Sequence, residues 1–341
     1  MRRCIELAGM GAGSVAPNPM VGAVLVHEDR IIGEGYHRQY GQAHAEVNCI
    51  NAVSEADTVL LPMSTLYVSL EPCAHFGKTP PCADLIVSRK IPRVVIGCRD
   101  PFKEVDGKGI EKLSAAGVEV IQPVLEAECA DLNKRFFTFH TKQRPYIILK
   151  WAQTANGIIG NKDRSRLLIS NEYSNRLVHQ WRSQEAAILV GTQTALYDNP
   201  ALTNRLWSGG QPVRLVLDMD LRLPGNLRLF DGTVRTIVFN SRRQEQRGLL
   251  HYYRLQKEAP VIAQICQALY QLNIQSVLVE GGAQLLQSFI DSACYDEARI
   301  ITNTEMQVAG GLPAPAAANL VLRRAMQLQS DSIHFYTPGV N

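Results

Sequence analysis

The 341-residue sequence has no stretch approaching the ~18 consecutive apolar residues that cross a bilayer, and its opening M-R-R-C-I-E-L-A lacks the apolar centre of a secretory signal. A cytoplasmic protein with no membrane partner is expected. The sequence also lacks an excess of one charge: 35 Lys+Arg against 32 Asp+Glu leave a net charge of +3. That is too little for a general nucleic-acid binder, and no basic, aromatic-interleaved stretch makes up for it. A phosphorylated small molecule in a local basic pocket is the better-matched partner. There is no internal repeat, and the biased patch P-A-P-A-A-A from Pro313 reads as a loop. The eight cysteines are scattered, which excludes a small disulfide scaffold and leaves most of them as buried small hydrophobes.

What is present is enough apolar material for two cores. C-I-E-L-A reads as a helix already running at Met1, so the natural chain is expected to begin a few residues earlier. V-G-A-V-L-V and R-I-I-G-E-G-Y form a hairpin about the turn His27 to Asp29. A helix near His44, strand T-L-Y-V-S-L, a helix after Cys82, strand R-V-V-I-G-C, helix G-I-E-K-L-S-A-A-G and strand V-E-V-I follow. Such alternation predicts a layered α/β domain. A helix-like A-E-C-A-D-L-N-K-R-F-F then runs into T-K-Q-R-P, whose proline ends it. The boundary belongs there, giving domains over residues 1–142 and 145–341. In the second, P-Y-I-I-L-K-W, E-A-A-I-L-V-G, P-V-R-L-V-L-D, R-T-I-V-F-N and Q-S-V-L-V-E are five strand candidates interleaved with helices.

His44-Ala45-Glu46, Glu71-Pro72-Cys73 and Pro80-Pro81-Cys82 supply one imidazole, two thiolates and a spare carboxylate. Three protein ligands with an open fourth position are the layout of a catalytic zinc site, here His44, Cys73 and Cys82. Pro80 and Pro81 place Cys82 where a helix can start, and a helix N-terminus favours the thiolate. Glu46 is two residues from His44, a spacing that points side chains apart on an ideal helix. Both can still reach one metal if it sits off the helix N-terminus, where first-turn side chains converge. Glu46 is then the proton shuttle of a hydrolytic deamination. A structural site with Cys49 or Cys98 as fourth ligand is the alternative.

The strings P-N-P-M-V-G-A-V, H-A-E-V and E-P-C-A-H-F-G-K-T-P-P-C carry a resemblance. The N-terminal half resembles the deaminase of the bifunctional deaminase/reductase family of riboflavin biosynthesis. The long spacing between the cysteines sets that family apart from cytidine and tRNA adenosine deaminases. The resemblance implies a cytidine-deaminase-like three-layer domain acting on a diaminopyrimidinone that carries ribose 5-phosphate. It also implies that Asn18, His75 and Lys78 contact that substrate.

V-L-V-E-G-G-A-Q-L-L-Q-S-F reads as a strand, a Gly281-Gly282 turn and a helix, whose amides could hold a phosphate, although it is not G-x-G-x-x-G. Together with P-Y-I-I-L-K-W-A-Q-T, I-S-N-E-Y-S-N-R-L-V-H-Q-W-R and V-G-T-Q-T-A-L-Y-D-N-P-A-L-T-N-R, it is similar to the reductase half of the same family. That implies a dihydrofolate-reductase-like domain using NADPH to open a ribose ring to a ribityl chain. By resemblance Ala152, Thr194, Asp198, Gly282, Ala283, Gln284 and Leu285 line the cofactor, while Lys150, Arg182, Leu202, Arg205 and Glu280 line the substrate. Arg182 and Arg205 suit the ribose phosphate as guanidinium forks. The sequence departs from the family at Leu168, where a tryptophan is frequent, and at Asn156, where an aspartate is frequent.

The whole is thus expected to be a two-activity, homo-oligomeric enzyme. A monofunctional deaminase with a non-catalytic ligand-binding second half, and a nucleic-acid base deaminase, are the competing readings.

Overall fold

The computed structural model describes residues 1–76, 80–163 and 165–339. Two compact units emerge, Met1–Gln143 and Arg144–Asn341. Among the described residues no helix is long and apolar enough to cross a membrane.

Unit 1 opens with helix α1 (Arg2–Gly9) and the hairpin β1 (Gly22–His27) and β2 (Arg30–Tyr36). Glu28 and Asp29 turn the hairpin with positive φ (45° and 63°), the twist-matched geometry of a two-residue connection. Helix α2 (Ala45–Asn51) and a 3-10 segment (Glu55–Met63) lead to β3 (Thr65–Leu70). Then come α3 (Cys82–Ser88), β4 (Arg93–Cys98), α4 (Lys108–Ala115), β5 (Glu119–Ile121), α5 (Glu126–Leu132) and α6 (Lys134–Lys142). The sheet order is β2-β1-β3-β4-β5, with β3, β4 and β5 parallel and β1 antiparallel to both neighbours. Period-two alternation divides β1 between two cores. Ala23 and Leu25 pack with Ala45, Cys49, Ala83, Ile86 and Leu113 from α2, α3 and α4, whereas Val24 packs with Cys4 and Leu7 of α1. Helices therefore cover both faces in three layers. The helix-like run through Asn133 is broken into α5 and α6 at that residue. Its amide there accepts from Met20 N at 2.8 Å and donates to Met20 O at 2.8 Å, a tertiary bond that a local pattern does not encode.

Unit 2 contains β6 (Tyr146–Thr154), β7 (Ile158–Gly160), α7 (Glu172–Gln184), β8 (Ala187–Gly191), α8 (Thr192–Asp198), β9 (Val213–Leu217), β10 (Thr236–Asn240), β11 (Glu245–Arg247) and β12 (Leu250–Arg254). It continues with α9 (Val261–Gln271), β13 (Ser276–Val279), α10 (Ala283–Asp291), β14 (Glu297–Asn303), β15 (Leu312–Pro313), β16 (Leu320–Leu328) and β17 (Asp331–Pro338). Ten strands order as β11-β12-β10-β9-β8-β13-β6-β14-β17-β16, parallel from β12 to β14, while β15 and β7 pair separately. Ile147 and Leu149 of β6 pack with Ile265, Leu286 and Phe289 of α9 and α10, and Tyr146 and Ile148 pack with Val178, Trp181 and Ala195 of α7 and α8. The five apolar strand candidates are the central strands, buried on both faces as parallel sheets require. After Ala314 the biased patch is a loop, with Pro313 in the short β15.

Candidate active sites

In unit 1, His44 is the N-cap of α2 in extended conformation (φ −72°, ψ 168°), and its side chain makes no cap bond. Its ring is therefore aimed off the helix end. Cys73 lies in the loop after β3, and Cys82 is the first residue of α3, with Pro81 as its N-cap. His44 Nδ1 is 3.6 Å from Cys73 Sγ and 3.4 Å from Cys82 Sγ, and all three ligand atoms lie within 4.8 Å of one another. Tetrahedral zinc with ordinary Zn–N and Zn–S bonds separates such atoms by about 3.6–3.8 Å. The donor set fits zinc. Cys49 and Cys98 are elsewhere: their thiols donate to Gly33 O and Ser69 O, each at 3.4 Å.

The electrostatics favour a ligating thiolate. The Cys82 thiol as hydrogen-bond partner, with His44 and the Cys82 backbone N–H adding to it, draws the Cys73 thiol down, while the same bond and burial push the Cys82 thiol up, so one thiolate is shared by the pair. The bond to Cys73 raises the His44 imidazole in turn. Glu46, in the first turn of α2 and 3% exposed, has its carboxyl pushed up by burial and by the charge of Cys73.

Around this trio, Asn18 Nδ2 is 3.1 Å from His37 Nε2, and His37 Nδ1 is 3.0 Å from Ala43 O. The carbonyl only accepts, so Nδ1 carries the proton and Nε2 accepts from Asn18. His37 is buried, 5.4 Å centroid to centroid from His44, and no motif in the sequence singles it out. His75 sits 6.1 Å from the Phe102 ring, with Nε2 4.0 Å from Glu104, and its buried Nδ1 has no hydrogen-bond partner among the described residues. Lys78 lies outside the described residues.

Unit 2 assembles a charged site at the sheet centre. Arg182, in the last turn of α7, binds Glu280 with two parallel 2.7 Å bonds, and its Nη1 donates to Thr203 O at 3.2 Å. This engages the fork that the sequence reading offered to a phosphate. Although burial disfavours its charge, Arg182 and Lys150 hold the Glu280 carboxyl down to about 2. Burial lowers the Lys150 ammonium. Arg205, by contrast, is exposed, bonded through Nη1 to Thr203 Oγ1 at 2.8 Å. Its backbone N–H donates to His179 Nδ1 at 2.9 Å, and burial with Arg182 and Arg205 nearby lowers His179 to about 4. No motif in the sequence singles out His179. Leu202 is buried with φ +49°.

Gly282 is the N-cap of α10, and a Cβ there would lie 3.1 Å from Thr194 Oγ1, so two of the predicted cofactor segments meet. Ala283, Gln284 and Leu285 form the first turn of α10, but Leu285 turns its side chain into the core and leaves only its backbone for a ligand. Asp198 ends α8, its carboxyl raised by burial. Ala152 is half-buried on β6. Asn156 ties its turn to Val308, donating to Val308 O at 2.9 Å, and Leu168 is 68% exposed. A groove of about 500 Å³ lies apart from these groups, lined by Met219, Ile262, Ser288 and Cys294, and includes none of the predicted residues.

Residues 1–98 match the family model described as the cytidine and deoxycytidylate deaminase zinc-binding region, and residues 145–312 match the RibD C-terminal domain. Riboflavin biosynthesis protein RibD of Aquifex aeolicus is 38% identical, over 91% of this chain and 87% of its own. That of Bacillus amyloliquefaciens is 40% identical, over 87% and 81%. The chain belongs to the RibD family. A solved Thermotoga maritima structure, a diaminohydroxyphosphoribosylaminopyrimidine deaminase/5-amino-6-(5-phosphoribosylamino)uracil reductase, superposes with a TM-score of 0.90 at 38% identity, covering 99% of this chain and 97% of that one. Both RibD halves are present, so the chain is a deaminase/reductase of riboflavin biosynthesis, which disfavours a monofunctional deaminase with a non-catalytic ligand-binding second half. The expected fold classes, and the expected pair of zinc and NADPH, agree with that family.

Proposed function

We propose that residues 1–142 hydrolytically deaminate a diaminopyrimidinone carrying ribose 5-phosphate, and that residues 145–341 reduce the product's ribosyl group to ribityl with NADPH. The observation that carries the first step is the convergence of one imidazole and two thiols beside a buried carboxyl outside the trio. His44, Cys73 and Cys82 hold the metal. Zinc, when bound, lowers the pKa of a water to roughly 7 and so makes hydrolysis possible at neutral pH. Glu46 takes the proton from the attacking water and delivers it to the leaving ammonia, a task suited to a carboxyl raised by burial. His37 holds one Asn18 N–H, leaving Asn18 Oδ1 and its second N–H for the edge of the pyrimidine. His75 and Lys78 are assigned to the substrate by the family resemblance.

In the second unit NADPH, when bound along Ala152, Thr194, Asp198 and residues 282–285, supplies the hydride. Lys150, Leu202 and the Arg182–Glu280 pair shape the floor of the substrate site. Arg205 binds the phosphate, because its fork is exposed while that of Arg182 is engaged. The enzyme works as a cytoplasmic homo-oligomer on a free phosphorylated pyrimidine, not on nucleic acid or at a membrane; the net charge of +3 supports the exclusion of nucleic acid. Metal analysis tests the assignment. One zinc per chain is expected in the wild type and none in Cys82→Ser; full zinc in that variant would contradict it.

A further inference from the structure

We propose that Glu71 is a positioning residue for the zinc site, clamping the loop that carries Cys73 through the glycines at the start of α4. The proposal rests on the ligand assignment above. Glu71 is 4% exposed, and its carboxylate accepts from four backbone N–H groups of one segment. Oε2 takes Asp100 N at 3.3 Å and Gly107 N at 3.0 Å, and Oε1 takes Gly109 N at 2.9 Å and Ile110 N at 3.4 Å. The groups at Gly107, Gly109 and Ile110 belong to the start of α4, where N–H groups have no acceptor within the helix. The N-cap, Gly107, has no side chain to serve them. Glu71 does so from the end of β3.

Glu71 also donates its own N–H to Cys98 O at 3.0 Å, so backbone and side chain are both fixed. The next residue is fixed by packing: a Cβ on Gly109 would run into Pro72 O. Cys73 follows directly. On its far side Cys73 O accepts from Ala83 N at 3.1 Å, and Cys73 Sγ accepts from Cys82 N at 3.4 Å. The thiol is thus set between the starts of α3 and α4. A glutamine at 71 would turn an NH2 group toward backbone donors and leave buried N–H groups unpaired. The strain would fall on the Pro72–Cys73 peptide, the one linked to the metal.

The test uses the full-length holoenzyme and the rate at which zinc passes to a chromogenic chelator. Glu71→Gln is expected to lose zinc about 10-fold faster or more, the usual consequence of removing support outside the ligand sphere. Gly109→Ala, which presses on Pro72 O, should act in the same direction and carries the test alone if Glu71→Gln does not fold. Leu113→Ala provides the control: Leu113 is buried on the core face of α4 and is not among the groups that bond Glu71. It should lower the melting temperature while releasing zinc at the wild-type rate. Reduction of supplied deaminated substrate should be unchanged in all three. Zinc release from Glu71→Gln and Gly109→Ala no faster than from Leu113→Ala would overturn the proposal. If Cys82→Ser also kept its zinc, the failure would lie in the ligand assignment instead.

Discussion

In unit 1 the reactive groups lie between His44 and Cys82, on two helix starts and the loop between them, and no ion pair within the trio brings them together: they are set by helix starts and by hydrogen bonds to backbone, those of Glu71 included. In unit 2 Lys150, Arg182 and Glu280 arrive from β6, α7 and the end of β13, and they are brought together by charge. The first site gains its reactivity when a metal adds to a preformed donor set. The second holds the Arg182–Glu280 ion pair in place before any ligand is present, with Lys150 as a further cation beside it, so an anionic substrate meets a fixed field without reorganising it. One lesson is that disturbing the proton shuttle of the first site should remove chemistry and leave the fold, whereas breaking the buried Arg182–Glu280 pair of the second should cost both.

The largest effect that sharpens this contrast is expected from Glu46→Gln. Glutamine cannot move the proton, so deamination should fall by about 10² to 10⁴-fold, with zinc, melting temperature and reduction of supplied intermediate retained. Steady-state assays of each half-reaction measure it. Wild-type deamination in that variant would remove Glu46 from the mechanism.

Glu280→Gln should behave differently. It leaves Arg182 and Lys150 buried without their carboxylate, a loss of about 3–5 kcal/mol for a buried pair broken on one side, visible as a lower melting temperature alongside lost reduction. The same pair predicts a pH dependence. Glu280 is held at about 2 against an ordinary value of 4.5, so its contribution is complete above pH 4.5 and is lost as pH falls toward 2. Acid titration of the wild type should show this loss in unit 2, and Glu280→Gln should lack it; an identical acid profile would break the account of a charge-held site.

A smaller effect is expected at Arg205. Removing an exposed fork from the phosphate in Arg205→Ala should weaken productive binding of the reductase substrate by about 1.5–3 kcal/mol and spare deamination and stability. A parallel fall in both half-reactions would contradict two separate sites. The smallest is Cys49→Ser, which should keep one zinc per chain, since Cys49 bonds Gly33 O and not the metal trio.

The comparison also explains what could be read from the sequence. The trio of His44, Cys73 and Cys82 was legible as a candidate metal site because an imidazole and two thiols are rare together and because Pro80-Pro81 marks the start of α3. Glu71 and His37 were not legible, since a side chain that bonds distant backbone or one amide leaves no periodic trace. In unit 2 the central strands stand out as apolar runs. β14 escapes notice because E-A-R-I-I-T-N contains Glu297 and Arg299, which are buried because they pair with each other at 2.6 Å and with Tyr146 and Glu185 around them. β16 is mostly exposed and shows little of the alternation that marks a half-buried strand. The charged site was reachable only through resemblance, as no local pattern joins residues 150, 182 and 280.

The central claim, two independent sites acting in order on one substrate, is tested most directly by mass spectrometry of products from the diaminopyrimidinone ribose 5-phosphate with and without NADPH. Without NADPH the wild type should accumulate the deaminated ribosyl compound, and with NADPH the deaminated ribityl compound. Glu46→Gln should yield neither from the diamino substrate but should form the ribityl product when the deaminated intermediate is supplied. NADPH-independent deamination with no ribityl product under any condition would leave the second unit without its proposed activity and contradict the account.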